Sequence, residues 1–531
     1  MGERLGVVEA LVRDGITPIS VENGIALLRQ VLADPSAGPV LVVSGRAAGL
    51  PTLPLERREL PLLRFVDRVR AHYPGIELVT EADLSSGADP YLDDHLLDGD
   101  LLFPAVLGME AMTQVAFALT GHDGPPLLEN VEFLRPIVVR PGDSTTIRMA
   151  ALQTGPGVVD VVIRSEETGF GADHFRARVR TPRPPVADVD GTAEHPIMTV
   201  DPGSELYGGF LFQGKRFQQL LGYRLVRARR AVAELGTRSH ASWFATFLPQ
   251  QQLLADPGTR DAAMHAIQCC VPDATLLPQS VEKLYLSSTP DDEYVVMDAR
   301  ERQQDGDSYV YDVSLSTPDG RLVERWEGLT LRAVRQRQGA GPWVPALLGP
   351  CLERSLERVL GGRRAVVVEP GPAPDRRTHT RVALSRALER DVEVCYRPDG
   401  KPEVGGATVS ASHGAGLTLA VAVPGTATLT CDVETAVRRE GWADLLGHHQ
   451  IALRDLLAST EDEHVAGARV WSALECVRKA GGTGQALALE RRDSDGWVVL
   501  SAGDARIATW VTTVEDRADP VVFAVLVGKE G

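Results

Sequence analysis

The stretch DDHLLDGDLLFP (Asp93–Pro104) sets an imidazole, a glycine and a proline at fixed spacing: His95, Gly99 and Pro104. A histidine just ahead of an apolar helix is well placed to act as a base. Gly99 carries no side chain, so backbone N–H groups there can approach a ligand. A helix starting at Pro104 turns its partial positive charge toward the preceding loop, where it would polarise a carbonyl. Further on, DAAMH places Asp261 and His265 one helical turn apart on one face. If two lobes bring their helices together, His95 and Asp261 meet across a narrow apolar channel. Burial there favours the uncharged forms, an acid at Asp261 and a base at His95. A second set lies in TCDVE and WSALECVRK. Asp432 and Glu434 are two apart in a strand and share a face. Glu475 and Lys479 are four apart on a helix and share another. Three carboxylates with oxygen ligands suit Mg²⁺ on a pyrophosphate. Each pattern also has an ordinary reading. His95 is a loop histidine, and Asp261 is a charge near a helix N-terminus. Glu475 and Lys479 form a solvated ion pair, and Asp432 and Glu434 belong to a polar strand edge.

The elements that must carry these residues fall into three blocks. Residues 1–50 read as helix (Leu5–Val12), helix (Val21–Leu32, capped by Ser20) and a buried parallel strand (Pro39–Arg46). Fifty residues in that order cannot bury a core, so the block reads as the tail of a larger α/β domain and the chain as a fragment. A Pro-rich linker, Ala47–Pro61, follows. Residues 55–335 then give one apolar helix (Pro104–Leu119) with alternating strands, a Pro/Gly/Asp linker at Pro182–Pro196, and a second helix (near Asp261–Val271) with strands again. The order of elements repeats, which predicts two similar halves, about 55–181 and 197–335, packed together. After a break at Arg335–Pro350, residues 345–531 mix helices and strands as a separate unit.

The chain has 531 residues, 44% of them hydrophobic and 24% charged, with 55 Lys+Arg against 72 Asp+Glu and a net charge of −17. This composition is that of a folded globular protein. The acidic excess argues against a general nucleic-acid binder, which needs net basic surface. No apolar run reaches the ~18 residues that span a bilayer, and Glu3, Arg4 and Asp14 interrupt any signal-peptide pattern. Six scattered cysteines with no CxxC pair predict reduced thiols, a cytoplasmic location and no zinc site.

Across about 55–335 the sequence resembles the dehydratase domains of type I polyketide synthases. The carriers of the resemblance are HLLDGDLLFP, LYGGFLFQGKRFQ (Leu206–Gln218) and DAAMH. It implies a double hot dog fold, a long helix wrapped by a curved antiparallel sheet, twice. By resemblance, His95 removes the α-proton of a β-hydroxyacyl thioester on a carrier protein and Asp261 protonates the leaving hydroxyl. Gly99 and Pro104 help bind the substrate, and His265 orients Asp261 or helps bind that hydroxyl. One departure is that many modular dehydratases have Tyr-Gly-Pro where this chain has Gln213, Gly214 and Lys215, so no catalytic role is assigned to Tyr207 or Gln213.

Residues 350–515 resemble the phosphopantetheinyl transferases of the surfactin-synthetase-activating type, a pseudo-twofold α/β fold, through TCDVE and WSALECVRK. DGKPEV (Asp399–Val404) and SASHGAG (Ser410–Gly416) add to it, and Cys431 stands where the family usually has glycine. The resemblance implies that Lys401, Ser412 and His413 hold the 3′-phosphate region of coenzyme A. Asp432, Glu434 and Glu475 would bind Mg²⁺, Glu475 would take the proton of the acceptor serine, and Lys479 would neutralise the departing 3′,5′-ADP.

Residues 1–50 resemble the end of a ketoreductase domain, an incomplete Rossmann-like remnant. The order of all three blocks resembles the C-terminal end of iterative enediyne polyketide synthases. The expected chain is therefore an α+β multidomain enzyme fragment. Its expected partners are an acyl carrier protein domain and other synthase domains, and a homodimer follows from the frequent pairing of such dehydratases. Two other classes are weighed: a non-catalytic double hot dog that binds or shapes a polyene, and a carrier-docking scaffold with a decayed transferase.

Overall fold

The computed structural model describes residues 19–33, 59–183, 196–238, 242–287, 292–337, 341–371, 375–437, 441–482 and 485–528. Of the expected N-terminal remnant, the second helix is present as α1 (Val21–Ala33), with none of its residues buried. The other helix and the strand lie outside the described residues.

The middle block is built on one twelve-stranded antiparallel sheet. Its first six strands are β1 (Arg68–Tyr73), β2 (Glu77–Leu84), β3 (Leu127–Phe133), β4 (Thr145–Gly155), β5 (Val158–Ser165) and β6 (Phe175–Arg180). The next six are β7 (Leu220–Arg227), β8 (Arg230–Gly236), β9 (Ala274–Leu286), β10 (Tyr294–Asp305), β11 (Ser308–Ser316) and β12 (Leu322–Gln336). Read from one edge the order is β1-β2-β4-β5-β6-β3; read from the other it is β7-β8-β10-β11-β12-β9. Each strand of the second half thus sits where its counterpart six numbers earlier sits in the first. The halves join through β3 and β9, where Val131 pairs with Val281 and Leu128 with Leu284. The strands alternate buried and half-buried positions, as in β5 and β11, because one face covers a core and the other meets water.

Helix α2 (Ala105–Thr120) follows β2, and α3 (Pro257–His265) occupies the equivalent place after β8. α2 is buried along almost its whole length and packs on β2, β4, β5 and β6. Gly108 lets it settle: a Cβ there would lie 2.5 Å from Phe175 Cε2 on β6. The second helix was expected near Asp261–Val271. It begins four residues earlier, because the Asp256 carboxylate accepts from Gly258 N (2.9 Å) and Thr259 N (3.1 Å) and Pro257 takes the first turn. It tightens to 3₁₀ over Ala266–Cys270. Asp261 is therefore mid-helix, not a terminal charge. The helices touch, and Glu110 of α2 ties down the chain before α3 by accepting from Leu253 N (2.8 Å) and Leu254 N (2.9 Å).

The C-terminal block starts with α4 (Pro345–Leu360), inside the stretch read as a linker. Gly349 lets this helix press on the next strand, where a Cβ would lie 3.0 Å from the Val366 carbonyl. Strand β13 (Ala365–Pro370), α5 (Arg376–Ala387), β14 (Ala407–Gly414) and β15 (Leu417–Pro424) form a sheet in the order β13-β15-β14. Next come β16 (Leu429–Thr435), α6 (Trp442–Leu446), α7 (His448–Ala458), α8 (Glu463–Lys479), β17 (Ala488–Arg492), β18 (Val498–Ala502), β19 (Ala505–Thr512) and β20 (Val521–Val527). Their sheet runs β16-β20-β19-β18-β17. In both halves a strand is followed by a helix that packs on it, and the last strand inserts between the first and the penultimate. Gly447 separates α6 from α7, with a φ of 75° that no helix accommodates. No helix among the described residues is long and apolar enough to cross a membrane.

Candidate active site

The HxxxGxxxxP spacing has a mechanical explanation. His95 follows a 3₁₀ turn (Pro90–Asp94). Residues Leu96–Leu97 and Asp100–Leu102 then form a two-stranded hairpin whose turn residues, Asp98 and Gly99, both have positive φ (57° and 93°). The hairpin folds Leu102 back onto His95, so Leu102 N donates to the His95 carbonyl (3.0 Å) and the Leu102 carbonyl lies 3.0 Å from His95 Nδ1. That carbonyl can only accept, so Nδ1 carries the proton and Nε2 is left with its lone pair. Gly99 thus serves the turn, not close approach to a ligand, and neither Gly99 nor Pro104 lines the cavities at His95.

His95 Nε2 faces Asp261 Oδ1 at 4.0 Å. The two residues come from different halves, as the repeated topology requires. Both are buried, 8% and 4% exposed. Phe212 and Phe217 pack edge-on against the imidazole, with centroids 5.1 and 5.4 Å away. Burial lowers the His95 pKa, against the opposing pull of Asp261 and the Leu102 carbonyl, and nearby His265 lowers it further. A neutral imidazole with a free lone pair beside a carboxyl is an acid–base pair.

Asp261 Oδ2 is held by His265 Nδ1 at 3.0 Å, and His265 Nε2 lies 2.9 Å from the Tyr207 hydroxyl. Tyr207 in turn accepts from Leu220 N (3.1 Å). The carboxylate oxygen accepts from His265 Nδ1–H, which leaves Nε2 to accept the Tyr207 O–H. The chain Tyr207–His265–Asp261 leaves Oδ1 as the oxygen free to work. Tyr207 received no role from the sequence, because the motif beside it departs from Tyr-Gly-Pro at Gln213, Gly214 and Lys215. The only signal was its place in LYGGFLFQGKRFQ.

Two cavities meet at His95 and Ala105. One, about 50 Å³, is lined by His95, Gln213, Asp261, Met264 and His265 among others. The other, about 710 Å³, runs past Phe103, Val131, Pro136 and Phe175 to Arg332 and Val334. An acyl chain therefore has a path to the pair from outside.

In the C-terminal block, β14 lies against β16 at the seam between the halves. Lys479 Nζ, from the end of α8, donates there to Asp432 Oδ1 (2.8 Å), Ser412 Oγ (3.1 Å) and the Cys431 carbonyl (2.9 Å), and Ser412 Oγ donates to Asp432 Oδ1 (2.9 Å). Burial opposes the Lys479 charge, but Asp432 outweighs it and the pKa stands above the ordinary lysine value. Both ring nitrogens of His413 are engaged, with Thr418 Oγ1 (2.9 Å) and Thr380 Oγ1 (3.0 Å). Burial and the charges of Arg376, His379 and Lys479 lower its pKa. Glu475 turns to Arg478 (2.5 Å). Lys401 lines a separate cavity with Arg390 and Arg397. The structure joins Ser412, Asp432 and Lys479 and does not gather Asp432, Glu434 and Glu475. Among the described residues no group of three or more His, Cys, Asp or Glu side chains is placed to hold a metal ion.

Family models agree with the middle block. The model described as "Polyketide synthase dehydratase domain" matches residues 67–166, and that described as "Polyketide synthase dehydratase N-terminal domain" matches 192–341. Similar solved structures include the dehydratase domain from the CurF module of curacin polyketide synthase, at 17% identity and TM-score 0.43, over 52% of this chain and 100% of that one. Another is the dehydratase domain of PpsC from Mycobacterium tuberculosis, solved in complex with C12:1-CoA, at 18% identity and TM-score 0.41, over 52% and 100%. None of the curated proteins compared matches the chain. Residues 67–166 and 192–341 thus match models of polyketide synthase dehydratase domains.

Proposed function

We propose that the chain removes water from β-hydroxyacyl thioesters presented on the pantetheine arm of an acyl carrier protein. The observation that carries this is the His95 Nε2 lone pair facing Asp261 Oδ1 across a buried cavity. His95 takes the α-proton, and its electron pair becomes the new C=C bond as the β-C–O bond breaks. Asp261 gives the oxygen its proton, and water leaves. The imidazolium and carboxylate so formed, 4.0 Å apart, reset the pair by passing the proton through one water. Apolar walls exclude water and strengthen both interactions. His265 and Tyr207 orient Asp261. The test is to give the protein a β-hydroxyacyl pantetheine thioester and follow enoyl absorbance. The wild type is expected to form enoyl product, and His95→Ala and Asp261→Asn to form none while still binding the thioester. Dehydration at the wild-type rate by His95→Ala would remove the base assignment and favour a non-catalytic, chain-binding hot dog.

A second activity, transfer of 4′-phosphopantetheine from coenzyme A to a carrier serine, is our reading of residues 345–531. It is supported by the repeated strand–helix–strand halves and by Lys479 and Ser412 at their seam, with Arg376 and His379 near His413, since cations and hydroxyls suit phosphate oxygens. Asp432, Glu434 and Glu475 as arranged do not fit a Mg²⁺ cage, and no step here runs through the ion. Lys479 and Ser412 would hold the phosphates. Incubating an apo-carrier with coenzyme A, with and without Mg²⁺, reads this by mass. A pantetheine gain with wild type and none with Lys479→Ala supports transfer, and no gain with wild type favours a carrier-docking scaffold. In our reading the chain belongs to the C-terminal part of an iterative, enediyne-type synthase, with α1 part of a ketoreductase-like remnant.

A further inference from the structure

We propose that Arg354, which belongs to the C-terminal block, is a positioning residue for the dehydratase: it clamps the C-terminal end of the helix that carries Asp261 and His265. This rests on the dehydratase reading and deepens it by making the site depend on a second block. α3 and the 3₁₀ turn that continues it (Ala266–Cys270) form one short helical unit. Asp261 and His265 lie on it, and both are buried. Its first end is fixed from within the dehydratase block by the Asp256 cap. Its last turn leaves carbonyls without helical partners, and side chains supply the donors. The Ala266 carbonyl accepts from the Tyr223 hydroxyl (2.7 Å), and the Val271 carbonyl from Gln268 Nε2 (2.9 Å). The Cys270 carbonyl accepts from Arg354 Nε (2.9 Å). Of these donors only Arg354 comes from outside the dehydratase block.

Arg354 projects from α4, yet its partners lie in the dehydratase block. Beside Cys270, its Nη1 donates to Gln304 Oε1 (2.9 Å), and its Nη2 to the Ala228 carbonyl, to Glu301 Oε2 and to the Tyr311 hydroxyl (3.3 Å). The Tyr309 ring lies 5.0 Å from its Cζ. Its side chain is 11% exposed, and that of Glu301 3%. A cation at the C-terminal end of a helix is favoured by the helix dipole. The planar guanidinium fork also fixes the directions of its acceptors, so it sets where the helix ends. His265 stands little more than one turn before Cys270 and holds Asp261 Oδ2 through Nδ1 (3.0 Å). Release of the helix end therefore moves His265 and the carboxylate it holds. His95, in the other half, stays on the Leu102 carbonyl. Misplacement of a reacting group by about 1 Å costs up to about a hundredfold in rate.

The experiment compares the full chain as wild type, Arg354→Met, Arg354→Lys and Glu389→Gln. It reads enoyl formation from a β-hydroxyacyl pantetheine thioester and amide hydrogen exchange over residues 261–271. Glu389→Gln cuts another ion pair of the junction, that with Arg230 (2.6 Å), which involves neither α3 nor α4. Arg354→Met is expected to lower kcat about tenfold with KM within about twofold, and to speed exchange over 261–271. Glu389→Gln is expected to leave both at wild-type values. Arg354→Lys keeps the charge beside Glu301 but not the fork, so its kcat should fall between those of wild type and Arg354→Met. If the Met variant fails to fold, the Lys variant decides, and a kcat below wild type supports the clamp. Wild-type kcat in the deciding variant overturns the proposal. An equal loss in Glu389→Gln also overturns it, because Arg354 would then only hold the blocks together. Faster exchange in Arg354→Met alone, with no enoyl product from wild type, would remove the dehydratase reading and leave the clamp standing.

Discussion

At the residue scale the site works by fixing protons before substrate arrives. The Leu102 carbonyl holds the His95 proton on Nδ1, and the Tyr207–His265 pair holds Asp261 Oδ2, so one lone pair and one carboxyl oxygen face each other. Burial lowers the His95 pKa, and this has a sign that can be measured. The base acts only when neutral, so dehydration rises with pH through the His95 pKa. Because that value is depressed, the acid limb of kcat/KM is expected to have its midpoint below the ordinary 6.5. The linked stability runs the same way. The unfolded chain binds this proton more readily, so the contribution of His95 is fully present above 6.5 and lost as pH falls through the folded value. A midpoint at or above 6.5 would contradict a buried base. The chemistry-bearing residues of this site were legible because DDHLLDGDLLFP and DAAMH are local patterns. Tyr207 was not, because what gives it a place in the site is a contact across the fold with His265.

At the element scale the hairpin after His95 and the cap before Asp261 do the positioning. Both are short-range devices: a turn of two positive-φ residues and an Asp256–Pro257 helix start. The helices they aim must then seat against the sheet, and Gly108 is where α2 comes closest. Gly108→Ala forces a methyl into the Phe175 ring, and overpacking of this kind costs about 1–3 kcal/mol. Thermal unfolding should show a lower Tm for this variant. An unchanged Tm would mean that α2 can shift without cost, and that its contact with β6 does not set the position of the site. The sequence placed α2 correctly from its all-round apolar character but started α3 four residues late. Its first turn, PGTR, carries no apolar period, and the capping carboxylate precedes it.

At the scale of the whole molecule the dehydratase block and the C-terminal block share one continuous core, running from Leu63 to Val525. Their junction also buries charge. Arg227, at the end of β7, donates to Glu353 of α4 (2.8 Å) and to the Ala387 carbonyl at the end of α5 (2.6 Å). Arg230 reaches Glu389 (2.6 Å), and Arg354 donates to the Cys270 carbonyl (2.9 Å) at the end of the 3₁₀ turn that continues α3. Removing one partner of a buried pair strands the other, at a cost on the order of 3–5 kcal/mol. Arg227→Met should therefore separate a single unfolding transition into two in denaturant, one per block. A single transition with an unchanged midpoint would show that the pair does not join them.

The sequence by itself determined the candidate acid–base residues, that the middle block is a repeated helix-and-strand unit, and where most elements lie. Those features depend on spacing and periodicity within a few turns of chain. Only the tertiary structure decided that His95 and Asp261 come within 4.0 Å, that Tyr207 reaches His265 behind Asp261, and that Asp432 pairs with Lys479 while Glu475 turns to Arg478. These are meetings of side chains from separate strands and helices. They are set by how a twelve-stranded sheet closes on two helices and how two smaller sheets meet at a seam, which no local pattern encodes.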